Sequence, residues 1–439
     1  MKDWGIKQWI TFAVLCAGGG IIYRLPYLRE IYYIPMQKAF QFDGFQMGFL
    51  TSMYGIVNFI LYIPGGIIAD RLPYKKLVVF SFISSGLLGL WFATIPSYGI
   101  CLLIEGLWAV TTVFTFWPTL IKAIRFLAGP EDQGKLFGTL EGGRGAASAI
   151  LSFAGLGILG WFVDSNFGLK VVIIFYSVVI ILIGIAAMFL LKEEHQSEEE
   201  KREILEKEKE AKKNLLSGTK VVIKMGNVWL VAFIVLTAYA AFSALAFLTP
   251  YVTTVFHMSV NVGAFIGIIR SYVIMALAPP IAGFIIDKKL NSTTKYMAYG
   301  FVVSIIFTFF YLFIPGKSSF LILMLIIMLI LSVALLSMKG VFFSPLDEVK
   351  VPRMYTGIAA GLISIVGYSP DMYINAYYGW LLDLRPGVGG YQLIFISMIV
   401  LCVIGLICSM VLFRRLYNKP FFRPVHTKEN EEVLQEVKA

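Results

Sequence analysis

Charge is scarce in this chain. Of its 439 residues only 15% are Asp, Glu, Lys or Arg, where soluble globular chains carry about a quarter. Hydrophobic residues make up 58%, and the mean hydropathy is +0.78. One core cannot hide so much apolar surface, which excludes a string of soluble domains and points to the bilayer as solvent. Cysteine is rare too. Cys16, Cys101, Cys402 and Cys408 all fall in apolar runs without metal-ligand spacing and read as small buried hydrophobes. No clustered His, Cys or nucleophile marks an enzyme. No Gly-x-x-x-x-Gly-Lys-(Ser/Thr) loop marks a nucleotide-driven pump. Neither cofactor nor metal is expected. The first apolar run lacks a small-residue cleavage site, so it reads as a spanning helix rather than a removable signal.

The chain does hold a series of apolar runs, each near the roughly 20 residues that a spanning helix needs. Twelve are found, at about 8–36, 44–69, 76–96, 98–127, 136–163, 167–191, 226–256, 260–286, 294–314, 318–345, 353–382 and 390–416. The first runs past Pro26 and Pro35 and is expected to kink or break at its outer end. The net charge of +10 is topological rather than a nucleic-acid signal, because the basic residues sit between the runs and no nucleic-acid motif accompanies them. With a cytoplasmic N-terminus, the inner loops hold Arg71, Lys75 and Lys76; Arg125 and Lys135; Lys288, Lys289 and Lys295; Lys350 and Arg353. The tail adds Arg414, Arg415, Lys419 and Arg423, while the outer loops hold only Arg29, Lys38, Lys170, Lys317 and Arg385. Both termini are therefore expected on the cytoplasmic side of a bacterial inner membrane.

These runs define the domain organisation: a six-helix bundle over 1–191, a charged linker over 192–225, a second bundle over 226–417 and a polar tail over 418–439. In the linker, Glu198-Glu199-Glu200-Lys201-Arg202-Glu203 leads into Glu206-Lys207-Glu208-Lys209-Glu210. Glu and Lys at i,i+4 spacing suggest an exposed helix, read first as a solvated connector and second as a regulatory element. The same short pattern closes the second helix of each half: Gly66-Ile67-Ile68-Ala69-Asp70-Arg71-Leu72-Pro73-Tyr74-Lys75-Lys76, and Gly283-Phe284-Ile285-Ile286-Asp287-Lys288-Lys289. Parallel repeats of this kind are expected where two bundles rock about a central site.

The first of these segments resembles the signature loop of the major facilitator superfamily, Gly-x-x-x-Asp-(Arg/Lys)-x-Gly-x-(Arg/Lys)-(Arg/Lys), with Pro73 where the family usually has Gly. The second resembles its weaker copy between helices eight and nine. Leu140-Glu141-Gly142-Gly143-Arg144-Gly145 resembles bacterial inner-membrane permeases of the YihN-like group. The resemblance implies an all-α fold of twelve helices in two pseudo-symmetric halves, acting as a monomer. It also implies that Gly66, Asp70, Arg71, Lys75, Lys76, Asp287 and Lys288 form conformational latches between the halves. On physical grounds alone, Asp70 at a helix end can meet a helix N-terminal dipole, and the basic residues can hold anionic headgroups. A plain charged stop-transfer turn is the alternative.

Ionisable groups within spans are costly and usually face protein or a water-filled cavity. Here they are Arg24, Glu105, Glu141, Arg144, Arg270, Lys339 and Asp371. The middles of helices three, six, nine and twelve carry none, and facilitator folds put those four at the lipid-facing periphery. Arg270 stands about 15 Å deep at 1.5 Å per residue, whereas Lys339 lies near an inner end and is expected to snorkel. Three pairings are open: Glu141 with Arg144, Arg24 with Glu105, and Arg270 with Asp371. Guanidinium binds carboxylate or phosphate bidentately and keeps its charge when desolvated. Arg24, Arg144 and Arg270 are thus candidates for holding an organic anion, with Glu105, Glu141 and Asp371 as coupling or pairing groups. Tyr23, Tyr27, Tyr54, Asn58, Tyr239, Tyr272, Tyr368 and Asn375 are candidate wall residues, though any single Tyr can equally be packing or an interfacial belt.

The expected function is secondary transport of a carboxylate, phosphate or sulfonate by alternating access, driven by protons or by antiport. An exporter of amphipathic molecules and a transporter-like sensor are the alternatives.

Overall fold

The computed structural model describes residues 5–125, 127, 133–191, 219–349, 351 and 355–417. The charged stretch expected as a helix at 198–210, the tail at 418–439, and Lys350 and Arg353 lie outside the described residues, as does the side chain of Asp70.

Among the described residues there are twelve membrane-spanning segments. Eleven are long and apolar enough to cross a bilayer by length and composition: α1 (Ile6–Phe40), α2 (Gly44–Arg71), α3 (Tyr74–Phe92), α4 (Tyr98–Ile124), α5 (Gln133–Trp161), α6 (Ser165–Leu190), α7 (Gly226–Val255), α8 (Val260–Leu290), α9 (Thr293–Phe313), α10 (Ser318–Val341) and α12 (Val388–Tyr417). The remaining one, α11, is split by a 3-10 turn at Ser369–Met372 into Thr356–Gly367 and Ile374–Leu384. Polar caps fix several starts. Asp43 accepts from Gln46 N at 2.7 Å, Asp164 from Asn166 N and Ser259 from Val262 N, each satisfying an N–H that the first helical turn leaves open.

The helices divide by regularity. α3, α6, α9 and α12 run unbroken and pack pairwise, α3 on α6 and α9 on α12. Their outer faces carry bare apolar side chains such as Leu182, Phe189, Phe309 and Ile407, as a lipid-facing surface requires. Breaks within the described spans fall in α1, α4, α7, α8 and α11. α1 passes through a 3-10 turn at Ile22–Arg24 and a kink at Tyr32. α4 carries a π segment at Val110–Phe114, and α8 carries one at Ile269–Ile274. α7 has a 3-10 turn at Ala244–Phe247. Broken helices at membrane depth are tolerated where they face protein or a cavity, and π segments recur at functional sites.

The halves meet along two main seams, α2 with α11 and α5 with α8, and the second part of α1 also packs on α7 and α8. The first is closed at the ends remote from the termini. There Gly48 lies against the carbonyl of Asn375, and Gly379 against the carbonyl of Gly44. A Cβ at either glycine would overlap backbone, so only Gly permits this approach. Across the same seam Asp383 of α11 accepts from the N–H groups of Gly44 and Phe45, at 2.8 and 2.6 Å, capping α2 from the opposite half. The second seam touches at that same end through Phe153 and Phe265, 5.7 Å apart. At the other ends of these helices, Gly66, Gly142, Gly283 and Gly361 have open space beside them. The structure is therefore closed on the side away from the termini and splayed on the side that carries the termini and the signature loop.

Candidate functional site

Three guanidinium groups lie in the broken part of α1 and in the π segment of α8. The 3-10 turn of α1 turns Arg24 toward α8, with its Cζ 4.6 Å above the ring of Tyr272. Arg270 sits in the π segment of α8 and is 4% exposed. Arg29, also 4% exposed, donates from Nη2 to Asn375 Oδ1 at 2.7 Å and lies 5.2 Å from the ring of Phe247. Much donor capacity stays unused: Arg24 Nε, Arg29 Nε and Nη1, and Arg270 Nε are buried without a hydrogen-bond partner. So are the hydroxyls of Tyr33, Tyr272, Tyr311 and Thr249. Among the described residues no carboxylate lies within ion-pair distance of these arginines. Buried polar groups normally find partners, so this cluster is out of balance with its own protein.

A second cluster adjoins it. Tyr239 of α7 donates to Asp371 Oδ2 at 2.9 Å. Lys339 of α10 lies 3.7 Å from the ring centroid of Phe242 and 5.6 Å from that of Tyr239. Tyr239 packs edge-on against Tyr368 at 5.0 Å. Lys339 thus lies against the aromatic wall, within the field of Asp371, instead of snorkelling to the interface. Of the open pairings, Arg270–Asp371 and Arg24–Glu105 do not form. Asp371 is held by Tyr239, and Glu105, 2% exposed with Oε2 unpartnered, lies in the field of Arg29.

Arg144 is engaged elsewhere. It pairs with Glu141 at 2.5 Å, donates from Nε to Gly19 O at 3.0 Å, and lies 4.8 Å from the ring of Trp117. It ties α5 to α1. Tyr54 bonds to Thr112 Oγ1 at 2.7 Å and meets Tyr27 edge-on at 5.4 Å, while Tyr23 donates to Thr112 O at 3.3 Å. These tyrosines, with the buried Asn58, line the N-terminal half of the centre. Tyr373 and Tyr377 are exposed on α11.

Sequence reasoning misses two central groups. The loop charges put Arg29 outside the membrane, and Glu30 has no role in that reading. The length of α1, 35 residues, is the available signal: a helix that long brings both into the membrane. At the signature loops, Lys122 Nζ donates to Ala69 O at 3.0 Å, beside Asp70. In the second half Asp287 lies in a terminal π segment. There it is Glu348 that caps a helix across a loop, accepting from the N–H groups of Thr293 and Thr294, from Ser292 Oγ at 3.1 Å and from the Tyr417 hydroxyl.

Residues 10–372 match the Major Facilitator Superfamily. The chain belongs to that family of transporters. It is 35% identical over 413 residues to inner membrane protein YihN of Escherichia coli (strain K12), covering 94% of this chain and 97% of that protein. Inner membrane protein YqcE of the same organism is 28% identical over 419 residues, covering 95% and 97%. The kinship with the YihN-like group is thus shown, and the chain is an integral membrane protein. Among solved structures, a bacterial homologue of the human lysosomal transporter Spinster, inward-facing and unoccupied, superposes with a TM-score of 0.70 at 13% identity, covering 94% of this chain and 98% of that one. The nucleoside transporter NupG superposes with a TM-score of 0.66 at 15% identity, covering 93% and 98%. At such identities these structures speak for the fold.

Proposed function

We propose that this facilitator is a secondary carrier for a small organic anion, bound near the midplane by Arg24, Arg29 and Arg270 and moved by rocking of the two halves. One observation carries the reading: three guanidiniums, drawn from both halves, hold buried, unused donors and no carboxylate within pairing distance. A carboxylate, phosphate or sulfonate supplies the missing acceptors in the planar geometry that guanidinium favours. Asn375 and the hydroxyls of Tyr33 and Tyr272 would orient its polar tail. In this reading the splayed side is cytoplasmic, in keeping with the basic loops on that side. A Ser97→Cys protein labelled only from the cytoplasm would reverse it.

The test is binding by the purified full chain. Lactate, methanesulfonate and methyl phosphate represent the three anion classes in a thermal-shift titration. A ligand at 100 times its Kd stabilises the folded state by about 2.7 kcal/mol. Arg270→Ala should weaken binding by roughly 10- to 150-fold, the worth of a charge-assisted hydrogen bond at about 1.5–3 kcal/mol, and should abolish saturable uptake into proteoliposomes. If no anion stabilises the wild type, or if Arg270→Ala binds as the wild type does, the reading fails.

A further inference from the structure

The cluster in the C-terminal half holds opposite charges that do not pair. Lys339 of α10 is half-buried, and its ammonium lies 3.7 Å from the ring centroid of Phe242, with the Tyr239 ring beyond. Such contacts steady a cation but give its N–H donors no lone pair to bond. Glu30 and Asp371 share its field, yet among the described residues Lys339 makes no hydrogen bond and no ion pair. Asp371, also half-buried, accepts from the Tyr239 hydroxyl at Oδ2. Among the described residues its Oδ1 accepts nothing. Tyr239 is itself fixed by packing, 5.0 Å from the ring of Tyr368 and 6.5 Å from that of Phe342. Asp371 is fixed too. It lies in the 3-10 turn of α11, and a Cβ on Gly55 of α2 would overlap its carbonyl, so its backbone is pressed against the opposite half. One turn further along α11 stands Asn375, which accepts from Arg29 at 2.7 Å. At the rise of a helix that turn spans about 6 Å, with Asp371 on the splayed side.

We propose that Lys339 and Asp371 read a hydroxyl on the transported anion: the substrate is a hydroxylated anion whose charged end lies at Arg24, Arg29 and Arg270 and whose hydroxyl stands about 6 Å away, toward the splayed side. The assignment rests on the anion reading above and narrows its substrate class. A hydroxyl is at once a donor and an acceptor. It donates to Asp371 Oδ1 and accepts from Lys339 Nζ, and so answers both unpaired groups with one atom. No charged group does this. A second anionic end would meet Lys339 but face the Asp371 carboxylate. An ammonium would meet Asp371 and the aromatic rings but face Lys339. Like charges repel strongly where water is excluded. A plain alkyl end fails differently, because it would cover both groups and bond neither, which costs their desolvation.

The experiment compares matched ligands on the purified full chain by thermal-shift titration. Butyrate and γ-hydroxybutyrate differ only in the hydroxyl, as do propanesulfonate and its terminally hydroxylated form. In the wild type the hydroxylated member of each pair should bind roughly 10- to 150-fold tighter, as a hydrogen bond to a charged group allows. The ratio within a pair is the readout, because a lost charge or a lost contact elsewhere moves both members alike. Lys339→Met should bring the ratio close to one. Asp371→Asn should lower it in part, since an amide keeps one acceptor. Tyr239→Phe leaves both readers in place and should preserve it. γ-Aminobutyrate and glutarate, which carry an ammonium and a second carboxylate at that end, should bind more weakly than γ-hydroxybutyrate. The wild-type comparisons alone decide the matter if Lys339→Met does not fold. Equal binding within either pair, tighter binding of γ-aminobutyrate or glutarate, or a ratio unchanged in both Lys339→Met and Asp371→Asn overturns the proposal while the anion reading stands. Failure of every one of these anions to bind the wild type overturns both.

Discussion

The seam between α2 and α11 makes a sharp prediction at Gly48. Its Cα packs on the carbonyl of Asn375, and a Cβ there would collide with backbone atoms of Asn375 and Ala376. Backbone cannot rotate aside as a side-chain tip can, so Gly48→Ala must part the seam or strain it. Overpacking costs roughly 1–3 kcal/mol. That cost falls only on the state in which the seam is closed. It should therefore shift the balance between the two orientations by about 5- to 150-fold toward the one open on the far side.

The same change acts oppositely on the helix itself. Ala is favoured over Gly in a helix interior by about 0.8–1.0 kcal/mol in either orientation. In the closed state the two terms partly cancel, so thermal stability should fall by no more than about 2 kcal/mol while the orientation shifts, a dissociation that general damage would not produce. Spin labels at Trp161 and Leu384, 83% and 53% exposed at the closed ends of α5 and α11, report the opening as a longer distance. Cys16, Cys101 and Cys402 are buried, which leaves the half-buried Cys408 as the background site to replace. Gly48→Leu should move the distribution further than Gly48→Ala. A distance distribution that stays at the wild-type value in both variants would refute the reasoning.

Other predictions use the same measurements. Asp383→Asn removes a full charge from the N-terminus of α2, where its oxygens accept at 2.8 and 2.6 Å. A charge there is worth about 0.3–2 kcal/mol, so the far-side-open population should rise up to about 30-fold; a population equal to the wild type would count against a latch. Glu348→Ala strips the cap from α9, leaving the N–H groups of Thr293 and Thr294 without their acceptor. The expected loss is roughly 1–3 kcal/mol, read as a lower melting temperature that Glu348→Gln partly restores, and an unchanged melt would contradict it. Arg144→Ala should lower stability more than it weakens anion binding, because its donors go to Gly19 and Glu141, whereas Arg24→Ala should do the reverse. The two variants behaving alike would undo the division of roles between them.

The bilayer makes the fold legible. It forces every span to show itself as an apolar run, and the scarcity of charge in helices three, six, nine and twelve points to the two regular pairs at the periphery. The break of α11 at Ser369–Met372 is legible too, because Pro370 lies within it and cannot donate to the helical ladder. The site is less legible for a related reason. Pro26 and Pro35 announce trouble in α1, but the π segments at Val110–Phe114 and Ile269–Ile274 have no proline within them. Each π segment adds a residue to a turn and rotates the side chains beyond it. Pairings drawn from depth alone, Arg270 with Asp371 and Arg24 with Glu105, cannot anticipate that rotation.

The seam and the site are joined through one residue. Asn375 offers its backbone carbonyl to Gly48 and its side-chain oxygen to Arg29. Ala376 N adds a bond to Ser52 Oγ at 3.3 Å, so the start of the second α11 segment is held against α2 at that point. With the far side closed, Asn375 takes one donor of Arg29, and Nε and Nη1 have no partner. Parting the seam would withdraw that acceptor and free the donor. On the proposed anion reading, the two orientations would present different donor sets at the same guanidinium. A ligand shifts such an equilibrium only through its differential affinity for the two states. The Arg29–Asn375 bond is where that difference can arise, and it ties the geometry of closure to the chemistry of the centre.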